Sequence, residues 1–172
     1  CGVVSWVRPR VDWRVVFAVR LPGVAATACH RWLIEGMADH SVKVAPHLHI
    51  SLQSGSDSVL RRMRRRWGSQ RFIDRCRLLQ ERLEQPAITT DIIVGFPGET
   101  DAEFAETIAT SRAVGFSKIH IFPFSPRRGT PAAEMPNHLP KHVPQERSRE
   151  LVAVEGWLRA SYYRSPVGRS PR

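Results

Sequence analysis

Two short polar segments, each of which follows an apolar run, carry the groups best suited to binding a ligand. Gln53–Asp57 (QSGSD) supplies an amide, hydroxyl groups and a carboxylate. Gly95–Glu99 (GFPGE) supplies glycines, whose backbone can approach a ligand closely. Because ligand sites of α/β proteins lie at the carboxyl ends of parallel strands, we expect Gln53 and Gly95 to face one cleft there.

Each segment also has a purely structural interpretation. In the first, Ser56 or Asp57 would cap a helix by accepting backbone amides. The second would be a tight turn between a strand and a helix, and it lacks the Gly-Lys-Ser/Thr ending of the Walker phosphate loop. If the turn does bind a ligand, the amides of Gly95–Gly98 should be free, and Gly95→Val should block the ligand with little effect on folding.

Arginine clusters indicate a polyanionic partner, with nucleic acid first. The net charge is +10, and guanidinium groups pair with phosphates and stack on bases. The alternative is a solvated face, with Trp67 packed on the protein's exterior. The residues predicted to bind RNA, weakly and in a salt-sensitive way, are Arg61, Arg62, Arg64, Arg65, Arg66, Arg127 and Arg128.

Histidine and cysteine spacing argues against a metal site. His47 and His49 fall on the same face of one strand and are expected to be packed or hydrogen-bonded. Cys1, Cys29 and Cys76 are isolated, without any C-x-x-C spacing, so we predict no zinc or iron–sulfur cage. Cys76 is expected to be a small core residue.

Alternating strand and helix patterns predict an α/β fold with parallel strands in an open, incomplete sheet. The 172 residues suffice for one domain, and the lack of a long apolar run predicts a cytoplasmic protein without membrane contact. Uncovered sheet edges are expected to allow association.

The predicted strands are Arg14–Leu21, His47–Leu52, Ala87–Val94 and Lys118–Phe122. The predicted helices are Ala28–Ala38, Asp57–Met63, Ser69–Leu83, Thr100–Val114 and Gln145–Tyr163. Thr100 and Glu103 form a capping box, Ser69 is a candidate cap, and Gly115 is a helix stop.

Three stretches resemble a known family. They are PHLHISLQSGSDSVLRRM from Pro46, TTDIIVGFPGET from Thr89 and HIFPFSPRRGTPAA from His120. They are similar to the radical S-adenosylmethionine methylthiotransferases, and the third looks most like the branch that acts on N6-threonylcarbamoyladenosine (t6A) next to the anticodon of tRNA. The resemblance extends from about Val44 to Gly168.

The resemblance implies a partial radical-SAM-type (β/α) barrel and a tRNA-modifying activity. The family replaces a C–H bond at C2 of the adenine by a methylthio group, using S-adenosylmethionine and [4Fe-4S] clusters. Carried over to this chain, the resemblance implies that Gln53, Ser54, Asp91, Gly95 and Arg65 lie near S-adenosylmethionine. It names no catalytic residue here.

The chain departs from the family pattern in its cysteines. The C-x-x-x-C-x-x-C motif that binds the radical-generating cluster is absent. We therefore expect a fragment without a cluster and without activity of its own. Residues 1–45 match the family poorly, 46–163 resemble the carboxyl-terminal half of a radical SAM domain, and 164–172 resemble the start of an RNA-binding β-domain.

Three alternatives remain open. The chain would be a non-catalytic basic half-barrel that binds RNA, a member of the same family acting on another tRNA adenosine or on a ribosomal protein, or an unrelated α/β enzyme that uses the glycine turn for a phosphate.

Overall fold

Four parallel strands form an open sheet in a computed structural model that describes Val19–Val24, Glu35, Met37 and residues 44–164. The strands are β1 (Val19–Val24), β2 (Val44–Ile50), β3 (Ala87–Val94) and β4 (Lys118–Pro123), and they lie in the order β1-β2-β3-β4. The predicted parallel α/β fold is confirmed. The predicted strand Arg14–Leu21 overlaps β1 only from Val19, and its first residues lie outside the described part of the chain.

Four continuous helices connect and flank these strands in the described part of the chain. They are α1 (Asp57–Arg62), α2 (Ser69–Arg82), α3 (Asp101–Val114) and α4 (His142–Arg164), with a short 3₁₀ turn at Pro131–Ala133. The predictions agree within a few residues, and α4 begins three residues before the predicted Gln145. Of the predicted helix Ala28–Ala38, the described residues include only Glu35 and Met37, both helical.

The caps explain where the helices begin and end. Thr100 Oγ1 accepts the Glu103 amide, and the Glu103 carboxylate accepts the Thr100 amide, which confirms the capping box of α3. Gly115 ends α3 in the left-handed conformation. The prediction that Ser69 caps α2 is wrong: Gly68 is the cap residue, and the Asp57 carboxylate accepts the Ser69 amide at 2.7 Å.

The two faces of the sheet differ in chemistry because successive side chains point to opposite sides of a strand. One face is apolar and packs into the core, with Leu48 and Ile92 fully buried beside Phe72 of α2. Cys76 of α2 is also fully buried, as predicted. The other face, called here the polar face, carries His47, His49, Thr89, Asp91, Lys118 and His120. α4 packs along β4 and against α3.

Within the described part of the chain, none of the helices has the length and apolar character that crossing a membrane requires.

A candidate binding cleft at the carboxyl ends of the strands

Gln53 is fixed above the end of β3 by its own backbone. Its amide donates to the Asp91 carbonyl at 2.8 Å, and its carbonyl accepts the Ile93 amide at 2.9 Å. To make both bonds it adopts a left-handed conformation with φ of 70°, which is uncommon outside glycine. Strained conformations of this kind persist only where the surrounding structure maintains them, and they cluster at functional sites.

Two adjoining pockets of about 460 and 250 Å³ form one cleft at this edge of the sheet. Both are lined by Gln53, Ile93, Phe96, Thr130 and Ala132. The larger pocket adds Asp91, Phe122, Pro123, Phe124, Ser125 and Arg127, and the smaller adds Arg62, Met63, Arg64, Arg65, Pro131 and Met135. The cleft lies where the sequence predicts a ligand site.

An apolar wall with a polar end gives the cleft its chemistry. Phe96 and Phe124 make an edge-to-face contact with ring centroids 5.3 Å apart, and Phe122 is 50% exposed. The Gln53 amide and the Asp91 carboxylate provide hydrogen-bonding groups beside this wall. Aromatic walls with a few placed polar groups suit a ligand that joins a flat ring to hydroxyl or amine groups.

Asp91 is held by groups of the polar face. Its Oδ2 lies 3.1 Å from His49 Nε2 and accepts the Ser51 hydroxyl at 3.3 Å, while His49 Nδ1 lies 3.0 Å from Thr89 Oγ1. The prediction of a hydrogen-bonded strand histidine is confirmed for His49. These contacts fix the carboxylate at the rim of the cleft.

The long segment after β4 forms the outer wall. The Phe124 amide donates to the Val94 carbonyl at 2.8 Å, and the Asn137 carbonyl accepts the Gly98 amide at 2.8 Å. These two bonds hold the segment against the end of β3. The expectation of free amides in the glycine turn is therefore wrong for Gly98, whose amide is used to hold this wall.

Gly95 has a structural role behind the cleft. Its amide donates to Glu99 Oε2 at 2.6 Å, so it is not free either. Its φ is 76°, and a Cβ there would lie 2.4 Å from Pro144 Cγ. The expectation that Gly95→Val has little effect on folding is wrong, because α4 occupies the space that a side chain would need.

A buried ion pair lies beneath this turn. Glu99 is 2% exposed, and its Oε2 accepts from Arg147 Nη1 at 2.7 Å, while Arg147 Nη2 donates to Asp101 Oδ1 at 2.7 Å. Burial raises the pKa of Glu99, and the Gly95 amide and the Arg147 guanidinium act in the opposite direction. No feature of the sequence indicated Arg147, which is 48 residues away along the chain.

Arg62 forms a second ion pair, which joins α1 to α3. Its Nη1 and Nη2 donate to the two carboxylate oxygens of Glu103 at 2.9 and 2.7 Å, and Nη2 also reaches the Gly98 carbonyl at 3.3 Å. These hydrogen bonds are the main reason that the pKa of Glu103 falls to about 2, and they raise the pKa of Arg62. Most of the Arg62 donors are thus engaged within the protein.

Apart from Gly95 and Arg62, the predicted site residues divide into three groups. Gln53, Asp91, Arg64, Arg65 and Arg127 line the cleft. Ser54 is fully buried, with its hydroxyl 3.3 Å from Thr107 Oγ1 and accepting the Ser56 amide. Arg61, Arg66 and Arg128 are exposed outside the cleft lining. Trp67 packs on Phe72 with stacked rings 5.3 Å apart, as the structural interpretation of the arginine cluster expected.

Sequence reasoning missed the aromatic wall. Phe96, Phe122 and Phe124 each lie at or just beyond a strand end, where a parallel fold gathers its ligand contacts. That position was the available signal, since an aromatic ring at a strand end is well placed to line a cleft.

Of the three cysteines, the described residues include Cys76 alone. Over the described ranges, no three histidine, cysteine, aspartate or glutamate residues come together in a group that could hold a metal ion. The expectation that the chain carries no cluster stays a prediction.

The sequence model of the Radical SAM superfamily matches residues 19–110, more than half of the chain. The chain therefore belongs to the Radical SAM superfamily, and its open parallel sheet is consistent with a partial barrel of that type.

Within the Radical SAM superfamily, the curated relatives place the chain in the methylthiotransferase family. That family uses S-adenosylmethionine and [4Fe-4S] clusters. The chain is 42% identical over 154 residues to the threonylcarbamoyladenosine tRNA methylthiotransferase MtaB of Bacillus subtilis (strain 168), covering 88% of this chain and 34% of that protein. It is 45% identical over 136 residues to a tRNA-2-methylthio-N(6)-dimethylallyladenosine synthase of Corynebacterium urealyticum, covering 79% of this chain and 25% of the relative. The enzyme of that name from Saccharopolyspora erythraea is 45% identical over 138 residues, covering 80% and 28%. The chain thus spans about a third or less of the length of these relatives.

Proposed function

We propose that this chain supplies a wall of the S-adenosylmethionine site and part of the tRNA-contacting rim of a methylthiotransferase that modifies C2 of t6A next to the anticodon. One observation carries the cofactor part: Gln53 and Asp91 lie together on an aromatic wall at the carboxyl edge of the sheet. The choice of t6A is supported by the stretch that begins at His120 and by the relative named for threonylcarbamoyladenosine.

The residues of the cleft fit S-adenosylmethionine. The ring of its adenine has an apolar partner in Ile93 and Phe96, and its hydroxyl and amine groups have partners in the Gln53 amide and the Asp91 carboxylate. When bound, the cofactor supplies the radical chemistry of the family. The described residues do not fit a [4Fe-4S] cluster, since Cys76 is buried in the core, so the role proposed for this part of the chain is binding.

The exposed arginines at the cleft supply the RNA contacts of this proposal. Arg64 and Arg65 flank one side, and Arg127 flanks the other. Arg61, Arg66 and Arg128 extend the basic surface along the same two segments. A substrate tRNA implies a cytoplasmic location. We also propose that the chain divides into the segments 1–45, 46–163 and 164–172 that the family resemblance implies. Association through uncovered sheet edges is a further part of this proposal.

Titration calorimetry of the purified chain with S-adenosylhomocysteine tests the cofactor part. We expect weak binding that falls about tenfold in Gln53→Ala and in Asp91→Asn, because each substitution removes a group that hydrogen-bonds a charged or polar part of the ligand. Asp74→Asn, on the exposed side of α2, is the matched control and should leave the affinity unchanged. Absence of binding at millimolar ligand, or equal affinity in all three variants, would contradict the proposal.

A non-catalytic RNA-binding module is the second candidate. Exposed arginines favour it, and the described residues contain no group of three or more histidine, cysteine, aspartate or glutamate side chains that could hold a metal ion. Retention of tRNA binding without any S-adenosylhomocysteine binding would select this candidate over the first.

A further inference from the structure

A separate pocket of about 670 Å³ opens on the polar face near the amino ends of the strands. Ala87 and Lys118, the first residues of β3 and β4, belong to its lining. The cleft described above lies at the opposite ends of the same strands. The two sites therefore share no lining residue.

Strand register brings two imidazoles together in this pocket. His49 pairs with Thr89 across β2 and β3, and Asp91 pairs with His120 across β3 and β4. The two imidazole rings consequently lie with centroids 5.9 Å apart. Both nitrogens of His49 have hydrogen-bond partners on β3, whereas His120 is exposed.

The last turns of α4 form an aromatic wall opposite the sheet. The Tyr162 hydroxyl donates to the Gln85 carbonyl at 3.1 Å, and the Gln85 side chain donates to the Tyr162 carbonyl at 3.1 Å, which fixes the end of the helix. The Tyr163 ring meets Tyr162 edge to face and is 70% exposed. The Arg159 guanidinium lies 6.0 Å from the Tyr163 ring centroid.

Some of the polar side chains around the pocket have an ion-pair partner within the described part of the chain, and others do not. Lys118 Nζ lies 3.0 Å from Glu155 Oε1, and the Asp91 carboxylate is engaged with His49. Among the described residues, Arg159 and His120 belong to no ion pair with an acidic group. A guanidinium and an imidazole beside an open aromatic face match a phosphate attached to a flat ring, because the guanidinium and an imidazole N–H donate to the phosphate oxygens and the ring stacks.

We propose that this pocket binds a nucleotide, with its phosphate on Arg159 and His120 and its base on Tyr163. The inference goes beyond the proposed function, since it uses none of the cleft residues. Such a nucleotide comes either as a free small molecule or as one unit of an RNA strand, and both offer the same phosphate and base.

NMR titration of the intact chain with adenosine 5′-monophosphate tests the proposal, with the His120 imidazole signals as the readout. We expect saturable shifts of those signals and an affinity about tenfold higher than that for inorganic phosphate or for adenosine, since each of these probes makes only part of the contacts. Arg159→Gln and Tyr163→Leu should each weaken binding several-fold. Arg149→Gln, another exposed arginine of α4 that lies outside the lining, is the control and should have no effect.

Absence of shifts at His120, or equal weakening by Arg149→Gln, would overturn the proposal. Phosphate binding as tight as that of the nucleotide would also overturn it, because the ring would then contribute nothing. If tRNA displaces the nucleotide, the natural source is RNA, and if it does not, the source is a free nucleotide; either result supports the site. Gln53→Ala affects only the cleft, so loss of S-adenosylhomocysteine binding there leaves this test unchanged.

Discussion

The Arg147 guanidinium of α4 lies 2.7 Å from the buried Glu99 carboxylate, and Glu99 Oε2 in turn accepts the Gly95 amide at 2.6 Å. One carboxylate therefore joins the turn at the end of β3 to the last helix. Since Phe96 of this turn forms the wall of the cleft, the ion pair also fixes the position of that wall.

Arg147→Ala should lower the free energy of unfolding by about 3 to 5 kcal/mol, because it leaves the Glu99 carboxylate buried without its partner. Urea unfolding followed by circular dichroism measures this change. Arg149→Ala, on the exposed side of the same helix, should change the free energy by less than about 0.5 kcal/mol. A similar small effect in both variants would show that the ion pair does not stabilise the fold.

Gly95→Ala should destabilise the protein more than Gly115→Ala. Both glycines have positive φ, 76° and 72°, so both substitutions carry a backbone penalty of about 1 to 2 kcal/mol. Only at Gly95 would the new Cβ also meet Pro144, at 2.4 Å from Cγ, whereas nothing lies within 4 Å at Gly115. The added overpacking costs about 1 to 3 kcal/mol more. Equal midpoints in urea unfolding would contradict this prediction.

Stability should fall in acid in a way that depends on Glu103. The pKa of this carboxyl is lowered from 4.5 to about 2 in the folded protein, chiefly by hydrogen bonds from Arg62. Its contribution is therefore fully present above pH 4.5 and is lost as the pH falls through about 2. We expect a contribution of about 1 to 3 kcal/mol, since Arg62 is partly open to solvent.

Unfolding of Glu103→Gln measured between pH 6 and pH 3 checks this expectation. The difference in unfolding free energy between the native and variant proteins should narrow toward low pH. Glu106→Gln, at an exposed position of the same helix, is the control and should follow the native curve. A constant difference across this range would show that Glu103 does not have the lowered pKa.

Binding of tRNA should distinguish Arg62 from its neighbours. Replacing Arg61, Arg64, Arg65 and Arg66 together by Gln should weaken binding and reduce the slope of log affinity against log salt by about 0.7 to 0.9 for each phosphate that the variant no longer binds. Arg62→Gln should mainly reduce stability, since it breaks the pair with Glu103. Filter binding over a salt series measures the slopes, and Arg112→Gln on α3 is the control. An unchanged slope in the fourfold variant would contradict the assignment.

Local sequence signals predicted the helices and strands well, because each signal depends on residues that are close together in the sequence. The buried run Ala87–Val94 forms β3, and the Thr100 capping box and Gly115 mark the two ends of α3. That Gln53 and the turn at Gly95 lie at one edge of the sheet also followed from a local rule, since consecutive parallel strands present their carboxyl ends on one side of a sheet. The place of Asp91 beside Gln53 was implied by the family resemblance alone.

The sequence by itself determined the parallel α/β fold, the place of the cleft and the family, because hydrophobic period, turn residues and motifs are properties of short segments. Only the tertiary structure decided which polar groups are available to a ligand. Ser54 and the Gly95 amide are used inside the protein, and Arg62 is largely engaged by Glu103. Arg147 and Pro144, from a helix more than 40 residues further along the chain, set the environment of the Gly95 turn. Such contacts depend on how helices pack over the sheet, and that packing brings together residues whose separation in sequence gives no sign of the pairing.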